Sequence, residues 1–257
     1  MNILRWSVVL WCSLGSSALC LAMAPAERQQ TFLQAQQAFE EARSAAEYRH
    51  SAEMFESLLA DGFQSGAVYY NLGNARVRAG ELGRAIAAYR RARMYRPRDP
   101  YLGANLQHAL NVAPGRLPEP PRAWWSHVLF WSDWTSVGEK CYGTAGALLL
   151  AAVLASTALL RRWPRLYWLS GGCLALSLAL GIDAALAWDS LEHPRRAVVT
   201  GETVARKGIG KEYEPAFDQP LKDGAEFTIL DENGEWIFGH FAGIGDGWLR
   251  NEFVARM

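Results

Sequence analysis

The chain has little of what most enzymes need. Its five histidines, His50, His108, His127, His193 and His240, are scattered over every segment, and none has a partner at metal-ligand spacing. No serine or cysteine stands in a nucleophile motif. Gly208-Ile209-Gly210 lacks the third glycine and the following helix pattern of a dinucleotide site. Gly243, Gly245 and Gly247 lie between β-prone runs and read as a flexible hairpin. Carboxylate pairs such as Glu40-Glu41 fall on a helical surface and are most simply solvated. These absences predict a non-enzyme with no catalytic residue, no metal ligand and no cofactor. The four cysteines, Cys12, Cys20, Cys141 and Cys173, lie in the leader or the apolar runs, so the water-exposed segments have no disulfide framework or zinc site. Charge of one sign is also missing: 26 basic residues balance 26 acidic ones, without a basic patch, which argues against a nucleic-acid partner.

Long apolar runs, in contrast, are present. Gly143–Leu160 (GTAGALLLAAVLASTALL) contains no charged side chain. As a helix it spans roughly 27 Å, near the thickness of a hydrocarbon core. Arg161-Arg162-Trp163-Pro164-Arg165 follows as a basic turn, and Leu166–Trp188 is a second apolar run with one charge, Asp183. Lipid admits only helices or closed barrels, so 141–188 reads as a two-helix transmembrane hairpin. The basic turn is expected to stay cytoplasmic. Both flanking modules then lie outside the cytoplasm, on an inner (plasma) membrane protein. Small residues recur every four positions in each run: Gly143, Ala147, Ala151 and Ala155, then Gly171, Ala175 and Ala179, with Asp183 continuing the row. Such stripes let helices approach closely, and predict that the two rows face each other. Asp183 is the intramembrane polar candidate. It is either hydrated near the outer interface, neutral, or paired with a donor on another membrane protein, since the first run holds no Lys, Arg or His.

Met1–Ala26 has the form of a secretory signal: Arg5 near the start, an apolar run from Trp6 to Met23, and Ala24-Pro25-Ala26 as an A-x-A site. An uncleaved anchor is the alternative. Cys20, preceded by Ser17-Ala18-Leu19, makes a poor lipoprotein box. Residues 27–112 are helical in pattern and carry an internal repeat. Its clearest copy is Gly66–Asp99, where Tyr69, Leu72, Gly73, Ala85, Tyr89, Ala92 and Pro97 fall at tetratricopeptide spacing. Gly73 and Ala85 are small where two helices should cross, Leu72, Tyr89 and Ala92 fill the seam, and Gly80 and Pro97 end the helices. A shift of one repeat forward superposes Asn71-Leu72 on Asn105-Leu106. The backward shift puts Phe39 where Gly73 sits, so the first copy is degenerate. Two helical pairs and a capping helix ending near Asn111 are expected. Repeat arrays leave a concave face free for an extended segment or helix of a partner. Asn71, Asn74 and Asn105 lie on the first helices that line it, and are the partner-binding candidates, with capping or packing inside the repeat as the alternative role. Arg78, Arg90 and Arg91 either attract an acidic partner or form a solvated helix face.

Residues 113–140 join the array to the hairpin. Ala113–Pro121 (APGRLPEPP) is a proline-rich linker expected to be extended. Arg122–Lys140 concentrates Trp124, Trp125, Trp131 and Trp134 and reads as an interfacial helix in contact with membrane lipid. Residues 189–257 change character. Short β-prone runs (Ala197–Val199, Thr203–Arg206, Glu226–Leu230, Glu235–Phe241, Gly247–Arg250 and Phe253–Ala255) alternate with turn residues, and Asp231-Glu232-Asn233-Gly234 reads as a tight hairpin turn. A small all-β SH3-like barrel is expected, with Leu230, Trp236, Ile237, Leu249 and Val254 in its core. Gly247-Trp248-Leu249 followed by Asn251-Glu252-Phe253-Val254 resembles the closing segment of bacterial SH3-like domains. The Lys207–Pro220 loop occupies the place of the loop that overhangs the binding face of such folds. Tyr213 and Phe217 are the ligand candidates there, with Trp236 and Trp248 read as core.

The order of signal, repeat array, two-span hairpin and SH3-like terminus resembles the repeat-containing proteins of the Bat (Bacteroides aerotolerance) operons, the BatE-like class. YYNLGNARVRAGELGRAIAAYRRARMYRPRDP resembles the family's repeat block, VLFWSDW its pre-membrane segment, and ARKGIGKEYEPAFDQPLKDGAEFTILDENGEW the opening of its terminal domain. The resemblance implies an accessory envelope protein whose companions include von Willebrand factor A-type membrane proteins and a MoxR-type ATPase. The reading is a non-enzymatic membrane-anchored scaffold. A module that holds peptidoglycan through the SH3-like domain is the rival.

Overall fold

A computed structural model describes residues 23–118 and 131–257. Five helices come first: α1 (Pro25–Glu41), α2 (Ala45–Ala60), α3 (Gly66–Arg78), α4 (Leu82–Tyr95) and α5 (Pro100–Val112). Their boundaries follow local chemistry. Ser44 and Glu47 form a capping box that opens α2. Gly80, at φ 81°, takes the left-handed conformation after α3, and Asp99 with Pro100 starts α5. Consecutive helices pack as hairpins, and α1 with α3 and α3 with α5 also touch. The expected two helical pairs and a fifth helix are thus present. Gly73 is small for a reason: a Cβ there would lie 2.4 Å from Cε1 of Tyr89. Ala85, Tyr89 and Ala92 are buried in the same seam. Between α2 and α3, Arg76 is buried and pairs with Glu56 and Glu81, and Arg49 also reaches Glu81. Burial alone would raise the Glu81 carboxyl, but hydrogen bonds and charge from Arg49 and Arg76 outweigh it and hold the group below its usual range.

Two longer helices follow, α6 (Val137–Arg161) and α7 (Pro164–Glu192). Both are long and apolar enough to cross a membrane. Their outward side chains include Leu160 at 81% and Trp168 at 85% exposure, a surface that water would not tolerate over this length. The helices extend past the expected 141–188 at both ends. Ser136 and Glu139 form a capping box at the start of α6, so the sequence expected to end an interfacial helix is instead the first turn of α6. Residues 131–134 form a turn, and 122–130 lie outside the described residues, as do residues 1–22 of the expected signal. The basic turn is present but shorter than expected: Arg161 ends α6, Arg162 caps it at φ 54°, and Pro164 opens α7.

The C-terminal segment forms an antiparallel sheet of β1 (Arg196–Val199), β2 (Glu226–Asn233), β3 (Trp236–Phe241), β4 (Gly245–Arg250) and β5 (Val254–Arg256), in the order β4-β3-β2-β1-β5. The sheet does not close into the expected barrel. The Thr203–Arg206 run makes single bridges to Leu221, Pro215 and Trp248 rather than a ladder, so β4 and β5 remain edges. Ile237 and Leu249 are core as expected, and Val254 packs at its margin. Leu230 is 55% exposed: Phe227 and Ile229, two residues apart, face the core, so Leu230 points away from it, at a bulge between Ile229 and Asp231. Trp236 is half-buried outside that core. The hairpin turn falls at Gly234-Glu235, two residues later than expected, with Gly234 at φ 59°.

Helices and sheet share one core. Val198 of β1 and the terminal Met257 are buried with Ala85, Ile86, Leu102 and Leu106 of α4 and α5. On its other face β1 places Ala197 and Val199 in the sheet's own core. Polar contacts close the junction. Arg90 makes a two-pronged hydrogen bond to Glu226 at 2.8 and 2.9 Å, and Asp223 accepts from the Gly83 amide at 3.1 Å. The expected extended linker takes part as well: Ala113 is buried, the Gly115 amide donates to the Asp223 carbonyl at 2.9 Å, and Leu117 packs on the sheet core.

Candidate functional site

A groove of about 510 Å³ opens on the helical array. Phe39 of α1, Asn74, Val77 and Arg78 of α3, and Asn105 and His108 of α5 form its walls, with Tyr89 of α4 at its base. These are the first helices of the pairs, so the surface expected to be concave is where a groove exists. Two of the three nominated asparagines meet there. Asn105 Nδ2 donates to Asn74 Oδ1 at 2.9 Å and to the Tyr70 hydroxyl at 3.1 Å, and the Tyr89 hydroxyl donates to Asn74 Oδ1 at 2.8 Å. Burial pushes the Tyr89 phenol up, so it is a neutral donor.

The amides thus fill the alternative role, packing inside the array. One atom of each holds the α3–α5 packing. The other, Asn74 Nδ2 and Asn105 Oδ1, has no partner among the described residues and belongs to a groove-lining side chain. A free amide donor and a free amide acceptor are the group types that hydrogen-bond a peptide's C=O and N–H. Asn71 does not line the groove. Of the three nominated arginines, only Arg78 lines it. Arg90 is used against Glu226, and Arg91 donates to the Leu191 carbonyl at 2.7 Å. Phe39, which marked the first repeat as degenerate, walls the groove and meets Tyr48 edge-on at 5.4 Å. Sequence reasoning missed Phe39 and His108 as groove residues, although His108 falls one helical turn beyond Asn105.

The SH3-like candidates are less open. Phe217 packs on the sheet core and meets Phe241 edge-on at 5.6 Å. Tyr213 is half-exposed but lies against Gly208, where a Cβ would be 2.5 Å from its ring.

The apolar helices pack through a seam other than the expected one. Asp183 is 8% exposed and Lys140 5%. Lys140 Nζ lies 3.1 Å from Asp183 Oδ1, and Ser132 bridges them at 2.9 and 2.7 Å. Asp183 thus has a cation within the chain, just before the first apolar run, which the sequence reading did not include among its partners. Its Oδ2 is buried without a hydrogen bond. In α6 the expected row holds in its centre, with Ala151 buried and Ala147 and Ala155 half-buried. In α7, Gly171, Ala175 and Ala179 are exposed. The facing row is Ser170, Ser177 and Ala184. Ser170 Oγ donates to the Ala151 carbonyl at 2.9 Å and Ser177 Oγ to the Thr144 carbonyl at 3.0 Å. Their seven-residue recurrence is the pattern of a shallow left-handed pair, whereas the four-residue row suits right-handed crossings.

Comparison of the chain with protein-family models, curated proteins and solved structures finds no match. Among the described residues no cluster of His, Cys, Asp or Glu is arranged to hold a metal.

Proposed function

We propose that the chain is a non-enzymatic, membrane-anchored scaffold whose tetratricopeptide-type array seats an extended segment of an envelope protein in the 510 Å³ groove. The observation that carries the reading is the pair of unpaired amide atoms, Asn74 Nδ2 and Asn105 Oδ1, in a groove with aromatic walls. Arg78 and His108 favour a segment with acidic character. The helices α6 and α7 act as the anchor, with the Arg161–Arg165 turn on the cytoplasmic side and the groove on the other. The resemblance to the BatE-like class makes von Willebrand factor A-type membrane proteins the first partners to test. The half-closed surroundings of Tyr213 and Phe217 give the peptidoglycan reading no comparable support.

Photo-crosslinking in native membranes tests this. A photoreactive residue at Arg78 in the full chain should give a discrete adduct on illumination, and Asn105→Ala should deplete it about tenfold. The same probe at Glu53, an exposed position on α2, should give none. Equal yields at Arg78 and Glu53 would refute the groove as the contact surface.

A further inference from the structure

The helix α1 does not begin where a cut after Ala26 requires. Pro25 is its first residue, Ala24 its N-cap, and the Arg28 amide donates to the Ala24 carbonyl at 3.0 Å. Removing residues up to Ala26 would delete that first turn. It would also delete Met23, whose side chain packs against the α1–α2 core with Phe32 and Phe55. The nitrogen of Met23 lies 2.7 Å from Asp61 Oδ1, at the end of α2. Arg28 Nε takes the other oxygen, Oδ2, at 2.7 Å, and its guanidinium lies over the Phe63 ring. The Asp61 side chain is 8% exposed. A carboxylate so enclosed, with one oxygen turned to a main-chain nitrogen near the head of the domain, is a receptor for an α-amine. The sequence offers the matching cut. Cys20-Leu21-Ala22 places small residues at the two positions before the bond that an export peptidase reads, and Met23 follows. A cut after Ala24 would set Pro25 immediately behind the bond.

We infer that the leader is removed between Ala22 and Met23, and that the new α-ammonium of Met23 is held by Asp61. The step is hydrolysis by a signal peptidase: the Ala22–Met23 amide breaks, water supplies hydroxyl to the Ala22 carbonyl carbon and a proton to the Met23 nitrogen, and the new carboxylic acid gives up its proton to the amine, leaving a carboxylate and an ammonium. The neutral amide donor to the Asp61 carboxylate becomes a cationic one, so the carboxylate gains a second cation beside Arg28. Cleavage itself then strengthens the closure of the first helical pair. This inference rests on export of the array but not on the groove.

The full chain, produced in an exporting bacterial host and purified from membranes, is labelled at free amines, and its N-terminal peptide is identified by mass spectrometry. Met23 is the expected first residue. A start at Leu21 or Glu27, or an intact leader from Met1, overturns the assignment. Labelling kinetics test the receptor separately. Pairing with Asp61 shields the amine, so Asp61→Asn should speed its modification at neutral pH about tenfold, the equivalent of one pKa unit. Equal rates in the two proteins would show that Asp61 does not hold the terminus, even with the cut in place.

Discussion

Lys140→Ala should loosen the α6–α7 pair more than any single apolar truncation along the seam. The substitution removes the cation 3.1 Å from Asp183 and leaves the carboxylate with one hydroxyl donor, Ser132. Asp183 Oδ2 already lacks a hydrogen-bond partner among the described residues. Breaking one side of a buried ion pair costs about 3–5 kcal/mol, because the remaining charge stays desolvated. Replacing both members with apolar residues is a different experiment. Lys140→Leu with Asp183→Leu removes the charge problem and should recover most of the loss, as buried pairs exchanged for packed hydrophobes are often neutral or better. The assay is unfolding of the full chain in mixed micelles by titration with a denaturing detergent, followed by tryptophan fluorescence. A cost below about 1 kcal/mol for Lys140→Ala would place the pair with ordinary solvated ion pairs and refute its burial. A double variant as weak as the single one would show that the seam needs the charges themselves.

Two further predictions concern the helical array. Gly73→Ala forces a methyl to within 2.4 Å of the Tyr89 ring, which cannot swing away while its hydroxyl holds Asn74, and should cost about 1–3 kcal/mol despite the gain in helix propensity; an unchanged thermal melting curve would refute the close crossing. Glu81 has a folded pKa below its unfolded value, so its contribution is present above that unfolded value and is lost as pH falls through the folded one. The stability gap between the native chain and Glu81→Gln, measured by denaturant melts, should therefore narrow on going from pH 6 to below about pH 4, and a gap independent of pH would refute the Arg49–Glu81–Arg76 network as its source.

The helical hairpins of α1–α5 were legible because their constraints are local. Gly73, Ala85, Tyr89 and Gly80 each sit where their size or backbone freedom is needed, and each is found in that place. The groove followed from the repeat periodicity only in part: Asn105 stands one repeat after Asn71, whereas its partner in the groove is Asn74, and the equivalent of Asn74 is the groove residue His108. The sheet was less legible. A single bulge at Ile229 moves every residue after it by one face, and the sequence carries no mark for it. The seam of α6 and α7 was misread because two candidate rows exist in the same apolar run. Glycine and alanine recur every four residues, serine every seven, and only the serines find carbonyl acceptors on the opposite helix. Lys140 was passed over because it precedes the uncharged run. Yet Lys140 and Asp183 are almost equally far from the turn at Arg162, and an antiparallel hairpin must set such residues side by side.

The docking of array on sheet changes what the anchor can do for the groove. The helix α4 gives Tyr89 to the groove base while Ile86, Arg90 and Gly83 of the same helix meet the sheet. At Gly83 the fit excludes even a methyl: a Cβ would lie 2.3 Å from the Val199 carbonyl oxygen. Arg91 of α4 ties to the Leu191 carbonyl at the end of α7, and Arg98, just beyond α4, pairs with Glu139 at the start of α6. The outer ends of both apolar helices are thereby fastened to the element that floors the groove. Exposed ion pairs such as Arg98–Glu139 contribute little alone, but the buried Ile86–Leu102–Val198–Met257 core between them resists shear. A flexible tether would let a bound segment sample every angle to the bilayer. On the proposed scaffold reading, this junction would instead present the segment at one fixed angle to α6 and α7.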